Sequence, residues 1–250
     1  MLPAMKTGTV RLFQTLDHPC GYYEDRSARN LVIDPLDPRL ANVYGTSLSW
    51  GFRRASGHVY KPACRGCQAC TPCRIPVNLF QPDRSQRRCL RRNRDLDEHW
   101  RVAEPNAEAL ALYERYLAWR HPGGGMDEPG DDDFRRFLIA PWGGTEFLEL
   151  RLAGELVAVA VTDRTPHGLS AVYTFYSPEH AARSLGVLCI LKQVERALAL
   201  SLPYLYLGYW IEDHPKMDYK IRYRPIQLLR GGHWYLFDPT EDPSADGMQG

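Results

Sequence analysis

Residues 145–178 read TEFLELRLAGELVAVAVTDRTPHGLSAVYTFYSP. Three runs rich in Val, Leu, Thr, Phe and Tyr stand in succession, broken at Ala153-Gly154 and again at Pro166-His167, which predicts three consecutive strands. Directly downstream, SLGVLCILKQVERALAL (184–200) changes period. Val187, Leu191, Val194 and Leu198 recur at helical spacing, so one apolar stripe is expected to pack on the sheet. PYLYLGYWI (203–211) then returns to an apolar strand. The order β-β-β-α-β predicts an α/β (or α+β) layer with helices on both faces of a sheet.

Upstream of this block, NAEALALYERYLAWRH (106–121) is an amphipathic helix, with Leu110, Tyr113, Leu117 and Arg120 on its repeat. A loop rich in glycine and acid, PGGGMDEPGDDD (122–133), leads to a short helix in DFRRFLIAP (133–141). Turn formers crowd the first forty residues, where HPCGYYEDRSARN leads into a short strand, LVIDPLDP, closed by Pro35 and Pro38. GFRRASGHVYKP predicts a hairpin turning at Ser56-Gly57, and RIPVNLF another strand. The pattern changes after Pro82, where RSQRRCLRRNRDL takes on helical character. Residues 1–100 are therefore expected as an N-terminal domain, 101–240 as a second one and 241–250 as a disordered tail.

With 250 residues, 44% apolar and 24% charged, the chain has the balance of a folded enzyme and not of a disordered or fibrous protein. Neither a signal peptide nor a membrane-spanning run is read in it, which predicts a cytoplasmic protein. In a reducing compartment its seven cysteines argue against a disulfide framework. Four of them, Cys64, Cys67, Cys70 and Cys73, follow at three-residue intervals in YKPACRGCQACTPCRIPV. Thiolates so spaced can turn onto one centre, an iron–sulfur cluster or zinc, with Cys20 or Cys73 as a further ligand. The alternative is a set of reduced thiols under a loop. Cys89 and Cys189, in apolar helical settings, read as core.

Between Arg84 and Arg94 stand six arginines and no acid. On a helix, Arg84, Arg87, Arg88 and Arg91 share one face, an electrostatic footprint suited to RNA phosphates. Aromatic residues are densest from Tyr204 to Tyr223, interleaved with Lys216, Lys220 and Arg222. Ser184-Leu185-Gly186 opens the long helix, whose free N–H groups suit a negative oxygen or a carbonyl; helix capping alone would also account for Ser184.

Taken together, FRRASGHVYKPACRGCQAC, PDRSQRRCLRRN, YTFYSPEHAARSLGVLCIL and LPYLYLGYWIEDHPKMDYKIRYRP resemble the bacterial aminoacyl-tRNA–protein transferases, over roughly residues 11 to 238. That resemblance implies an N-terminal domain carrying the cysteines and a C-terminal acyltransferase domain of GNAT-like fold. It also implies an activity, transfer of leucine from charged tRNA to the α-amine of proteins that begin with Asp or Glu, which marks them for degradation. Eukaryotic relatives bind an iron–sulfur cluster beginning at a Cys-Gly-Tyr-Cys motif, which here reads Cys20-Gly21-Tyr22-Tyr23. The implied ligands are Cys20, Cys64, Cys67 and Cys70, with no organic cofactor. The implied tRNA contacts are Arg84, Arg87, Arg88 and Arg91.

In GNAT folds the oxyanion is held by backbone donors near parted strands and a helix start, which here points to Tyr176, Ser184, Leu185 and Gly186. An acidic acceptor asks for cations, with Arg53, Arg54, Lys216 and Lys220 as candidates. The leucyl side chain asks for an apolar pocket, with Phe175, Tyr206, Tyr209 and Trp210 as candidates. Rival readings are an arginyltransferase on the same scaffold and a redox-sensing, RNA-binding module without catalysis. A coenzyme A-dependent acetyltransferase fits less well, because HAARSLG lacks the glycine-rich loop it would need.

Overall fold

The computed structural model describes residues 9–120 and 131–238, so the expected tail and most of the glycine-rich loop lie outside the described residues. Fourteen strands and five α-helices are laid out along this part of the chain. The N-terminal portion contains β1 (Leu12–Gln14), β2 (His18–Pro19), β3 (Ser27–Ala28), β4 (Asn30–Ile33), α1 (Leu40–Ser49), β5 (Arg53–Ala55) and β6 (His58–Pro62). Next come β7 (Thr71–Pro76), α2 (Arg84–Arg92), β8 (Leu96–Val102), α3 (Ala107–Arg120) and α4 (Asp131–Leu138). The expected block follows as β9 (Thr145–Leu152), β10 (Glu155–Thr165), β11 (Gly168–Tyr176), α5 (Leu185–Ala199) and β12 (Tyr204–Trp210). A 3-10 turn at Asp218–Arg222 precedes the closing hairpin of β13 (Gln227–Arg230) and β14 (His233–Leu236).

Strands β1, β4, β6 and β5 form a small sheet in the order β1-β4-β6-β5, and its β5–β6 hairpin turns at Ser56-Gly57. The large sheet runs β14-β13-β7-β12-β11-β10-β9-β8. It takes strands from both sides of residue 100: β7 sits between β12 and β13, while β8 closes the far edge.

Alternation along the strands sorts side chains into two layers. Phe147, Val159, Val161 and Phe175 face α3 and α4, where they meet Leu112, Tyr113, Leu117, Phe134 and Leu138. Leu148, Leu150, Ala158 and Ala160 face the other way, onto α2 and α5 through Cys89, Leu185, Leu188 and Cys189. Both cysteines are core residues, as expected. The stripe of α5 that is buried runs through Leu188, Leu191, Val194 and Ala197 instead of ending on Leu198, which is exposed.

The N-terminal layer covers β12 from the α3 side: Tyr44, Leu48, Phe52 and Val59 pack with Tyr206. A glycine in the middle of α1 lets the helix approach the end of β10, since a Cβ on Gly45 would meet Thr165 Cβ at 3.1 Å and the His167 ring at 3.2 Å.

Candidate active site

Strands β11 and β12 pair in parallel only at Leu169–Leu205 and Ser170–Tyr206. Beyond that point their pairing ends, so the backbone of each is left without its neighbour and a cleft opens between the two strands. A bulge between Tyr206 and Gly208 reverses which face each later β12 residue presents. Gly208 holds φ +75° there, and a Cβ on it would come within 3.2 Å of the Arg53 guanidinium. Glycine is thus required twice over, by its backbone angle and by the arginine beside it.

Arg53 and Arg54 are neighbours on β5 and point to opposite faces. Arg54 is fully buried: its Nε and Nη2 donate to Asp163 at 2.7 and 3.0 Å, and Nη2 also reaches the Leu138 carbonyl at 2.8 Å. Asp163 accepts in addition from Tyr44 Oη at 2.8 Å and Thr145 Oγ1 at 2.7 Å. This is a closed internal network, so Arg54 is unavailable to a substrate. Arg53 differs in every respect. Half-buried, it makes no ion pair among the described residues, and its guanidinium carbon lies 5.7 Å from the Tyr209 ring centre and 6.0 Å from that of Tyr60. Tyr22 stands within electrostatic reach of the same charge. A partly dehydrated cation among tyrosine rings has given up hydration without gaining an anion, and a carboxylate is the ligand that would restore the balance.

Below it lies Lys220, buried, with Nζ donating to the Tyr209 carbonyl at 2.5 Å. Burial pushes its ammonium pKa down to about 8, an effect that Cys73 opposes and Arg53 reinforces. Lys220 adds positive potential beneath the cleft but does not reach out to a ligand. Lys216 is exposed on the loop before the 3-10 turn.

The four residues expected to line an apolar pocket do not do so together. Phe175 is wholly buried among Tyr113 and Phe134, 5.2 and 6.2 Å between ring centres. Tyr206 packs on the N-terminal layer and bonds Arg74 at 3.3 Å, while Trp210 lies in the core beneath α5 with Nε1 donating to Asp218 at 3.1 Å. Tyr209 is buried too, its hydroxyl bonded to the Gly51 and Tyr60 carbonyls at 3.0 and 3.2 Å, so it offers Arg53 its ring alone. Strand alternation and the bulge account for the scatter: Tyr206, Tyr209 and Trp210 share β12 but face different layers, and Phe175 stands on β11.

At the other end of the parted strands, Tyr176 and the start of α5 do meet. Ser184 is the N-cap in the left-handed region (φ 60°), exposed, without a side-chain capping bond. Its carbonyl accepts from the Val187 and Leu188 amides at 3.0 and 3.1 Å. The amides of Leu185 and Gly186, first in the helix, have no intrahelical acceptor by geometry. Of the two residues Leu185 is fully buried, which leaves Gly186 as the one a ligand can approach. Tyr116 and Trp119, unremarked in the sequence, stand against Tyr176. The clue was in LYERYLAW, where aromatics three apart on α3 share a face.

Cys20, Cys64, Cys67 and Cys70 line one cavity of about 880 Å³ beside the end of β12. Cys64 Sγ lies 3.5 Å from the Arg29 amide, and Cys67 Sγ lies 3.6 Å from Arg26 Nη1. Donation from the Ala69 amide, then Arg26, lowers the Cys67 pKa, whereas burial raises that of Cys70 to about 11. In donor type these thiols suit a soft metal or cluster, but in position they do not converge. Among the described residues no three ligating side chains stand close enough to share one ion. Cys73 does not belong to the set: it is buried on β7.

Helix α2 carries its arginines on an exposed face. Asp83 caps it, accepting from the Gln86 amide at 2.8 Å while Gln86 Oε1 accepts from the Asp83 amide at 2.9 Å. Buried Gln86 and Cys89 face inward, and Arg84, Arg87, Arg88 and Arg91 are exposed. No helix among the described residues is long and apolar enough to cross a membrane.

Residues 18–88 match the family described as "Arginine-tRNA-protein transferase, N terminus", and residues 108–230 match its C terminus. A protein of Stenotrophomonas maltophilia named aspartate/glutamate leucyltransferase is 54% identical, covering 93% of this chain and 95% of its own. Proteins of the same name are 53% identical in Xylella fastidiosa (92% and 93% covered) and 55% identical in Xanthomonas euvesicatoria (90% and 92% covered). Two matched halves and near-complete coverage at this identity leave one assignment: the chain belongs to the arginine-tRNA-protein transferase family.

Proposed function

We propose that this protein is an aspartate/glutamate leucyltransferase, moving leucine from leucyl-tRNA to the N-terminal α-amine of proteins that begin with Asp or Glu, and so creating a signal for their degradation. Its place of work is the cytoplasm, where charged tRNA is made. The observation that carries the reading is Arg53, a half-buried cation without a carboxylate partner among the described residues, ringed by Tyr22, Tyr60 and Tyr209 at the parted strands. On this reading the acceptor's Asp or Glu side chain supplies that carboxylate. The relatives' shared name supports both donor and acceptor.

The chemistry asks little of side chains. The donor ester is already activated, and the acceptor α-amine, with a pKa of about 8, is partly neutral near pH 7. Its nitrogen attacks the ester carbonyl, the C–N bond forms, and the C–O bond to the tRNA ribose breaks. The ribose oxygen leaves with a proton that originated on the amine. What the enzyme contributes is orientation and stabilisation of the tetrahedral oxyanion. The amide at Gly186, beside Tyr176 and Ser184, is the donor best placed for that oxygen. Parted strands followed by a helix start are also the grounds for a GNAT-like reading of this layer.

The exposed arginines of α2 would take tRNA phosphates. The cysteine loop would hold a soft metal or an iron–sulfur cluster on Cys20, Cys64, Cys67 and Cys70, bracing the N-terminal layer without entering the reaction. Metal and sulfide analysis of protein purified without oxygen tests that part; four freely alkylated thiols and no metal would refute it. The activity itself is tested with purified protein, charged tRNAs and peptides of defined first residue. Leucine should pass from leucyl-tRNA to Asp- and Glu-peptides and not to Ala-peptides. Transfer from arginyl-tRNA alone would overturn the donor assignment.

A further inference from the structure

Nothing so far assigns the residues that read the donor's side chain. We propose that the leucyl side chain is held by a second aromatic cluster, Tyr116, Trp119, Tyr173 and Tyr176, and that Arg120 beside it excludes cationic donors. The proposal rests on the leucyl-transfer reading above.

Three observations carry it. The first is position. Tyr176 ends β11, and its ring lies 3.7 Å from where a Cβ on Gly186 would stand, over the first turn of α5. An ester carbonyl directed at the Gly186 amide would therefore lay its side chain on this ring. Tyr116 stands 5.1 Å and Trp119 6.1 Å from Tyr176 between ring centres, and Tyr173 stands 6.3 Å from Tyr116.

The second is shape and exposure. Trp119 is 45% exposed and Tyr173 and Tyr176 are half-buried, while Tyr116 is buried in the core, so the cluster is an open apolar surface on a closed base. A branched aliphatic group covering it would remove apolar area on both sides from water.

Charge is the third. Arg120 follows Trp119 directly and lies within electrostatic reach of the Tyr116 and Tyr173 phenols. Two carboxylates near these elements are already engaged: Glu179 takes the Ser177 hydroxyl at 2.5 Å and faces Arg115, and Asp133 takes Arg136 at 2.5 Å. A guanidinium arriving here would meet the like charge of Arg120, with these two carboxylates already taken. Tyr219 lies within electrostatic reach of both Arg53 and Tyr116, which brings the two half-sites into one neighbourhood.

One tRNA body charged in turn with leucine, alanine and arginine isolates the side-chain contact from all other tRNA contacts. Wild-type protein should prefer the leucyl over the alanyl ester. Trp119→Ala should cut that ratio at least tenfold, mainly through KM, with affinity for the uncharged tRNA and Tm unchanged. Arg120→Glu, a surface change, should raise use of the arginyl ester. A leucyl-to-alanyl ratio equal to wild type in Trp119→Ala, or no gain for arginine in Arg120→Glu, would overturn the proposal. Absence of leucyl transfer in the wild type would instead fell the reading beneath it.

Discussion

Two arginines side by side on β5 end in opposite worlds. Arg54 sits in a seam where every strong donor and acceptor has a partner, joining β5, α1, α4, β9 and β10 through Asp163. Arg53 enters a ring of tyrosines and, among the described residues, is left without an anion. The same residue type, one position apart, is a closed structural knot in one case and an open valence in the other. The difference teaches that charge alone does not mark a site. What marks it is charge whose partner is missing.

The contrast breaks first at Arg54. Arg54→Ala leaves Asp163 buried beside Tyr44 and Thr145 without its counter-charge, and should cost about 3–5 kcal/mol in urea unfolding. A loss below 1 kcal/mol would show that the seam relaxes around the gap. Arg54→Lys should rescue little, since one ammonium cannot replace a fork that binds Asp163 twice and a carbonyl besides.

Lys220, on the Arg53 side, should respond to pH. Its pKa falls from 10.5 to about 8 on folding, so between those values the folded state binds fewer protons than the unfolded one. Stability from this group therefore rises with pH across that window, and below pH 8 the full cost of burying the ammonium is present. Relative to Lys220→Met, the wild type should gain about 3 kcal/mol between pH 7.5 and 10.5. Parallel curves for the two proteins would mean that the ammonium is not penalised by its surroundings.

Arg53→Ala sharpens the comparison in the opposite sense. Folding should change by less than about 1 kcal/mol, because no partner is stranded. Transfer to Asp- and Glu-peptides should fall about fifty- to hundredfold, the loss of one charge-assisted contact. A fall equal for acidic and uncharged acceptors would assign Arg53 to general packing. The smallest effect is expected on the outer surface. Arg87→Ala with Arg88→Ala should weaken tRNA binding and flatten its slope against log salt by roughly 2, read by titration at several salt concentrations.

The β-β-β-α-β block from Thr145 to Trp210 was legible because its strands are apolar on both faces and its helix carries an unbroken stripe. Helix α1 was not, because Gly45 with Thr46, Ser47 and Ser49 masks a helix whose glycine answers to Thr165, far along the chain. Strand β8, LDEHWRV, is a mostly exposed edge strand, so its composition is that of a loop. For the site, the doublet Arg53-Arg54 announced a cation, but which member faces the cleft depends on the register of β5 against β6. The aromatic run of β12 misled for a related reason, since the bulge at Gly208 reverses its later faces.

The place of β7 has a consequence for how the chain is made. Arg74 bonds Tyr206 across 132 residues and Gln227 across 153. During synthesis this strand emerges early and waits, both edges bare, until nearly the whole polypeptide has followed. Local pairs such as β9 with β10 can form at once, whereas the middle of the sheet closes last, as contacts so distant in sequence are slow to find. A ribosome that stalls near residue 200 would thus release a molecule with an unsatisfied strand at its heart, primed to stick to its own kind.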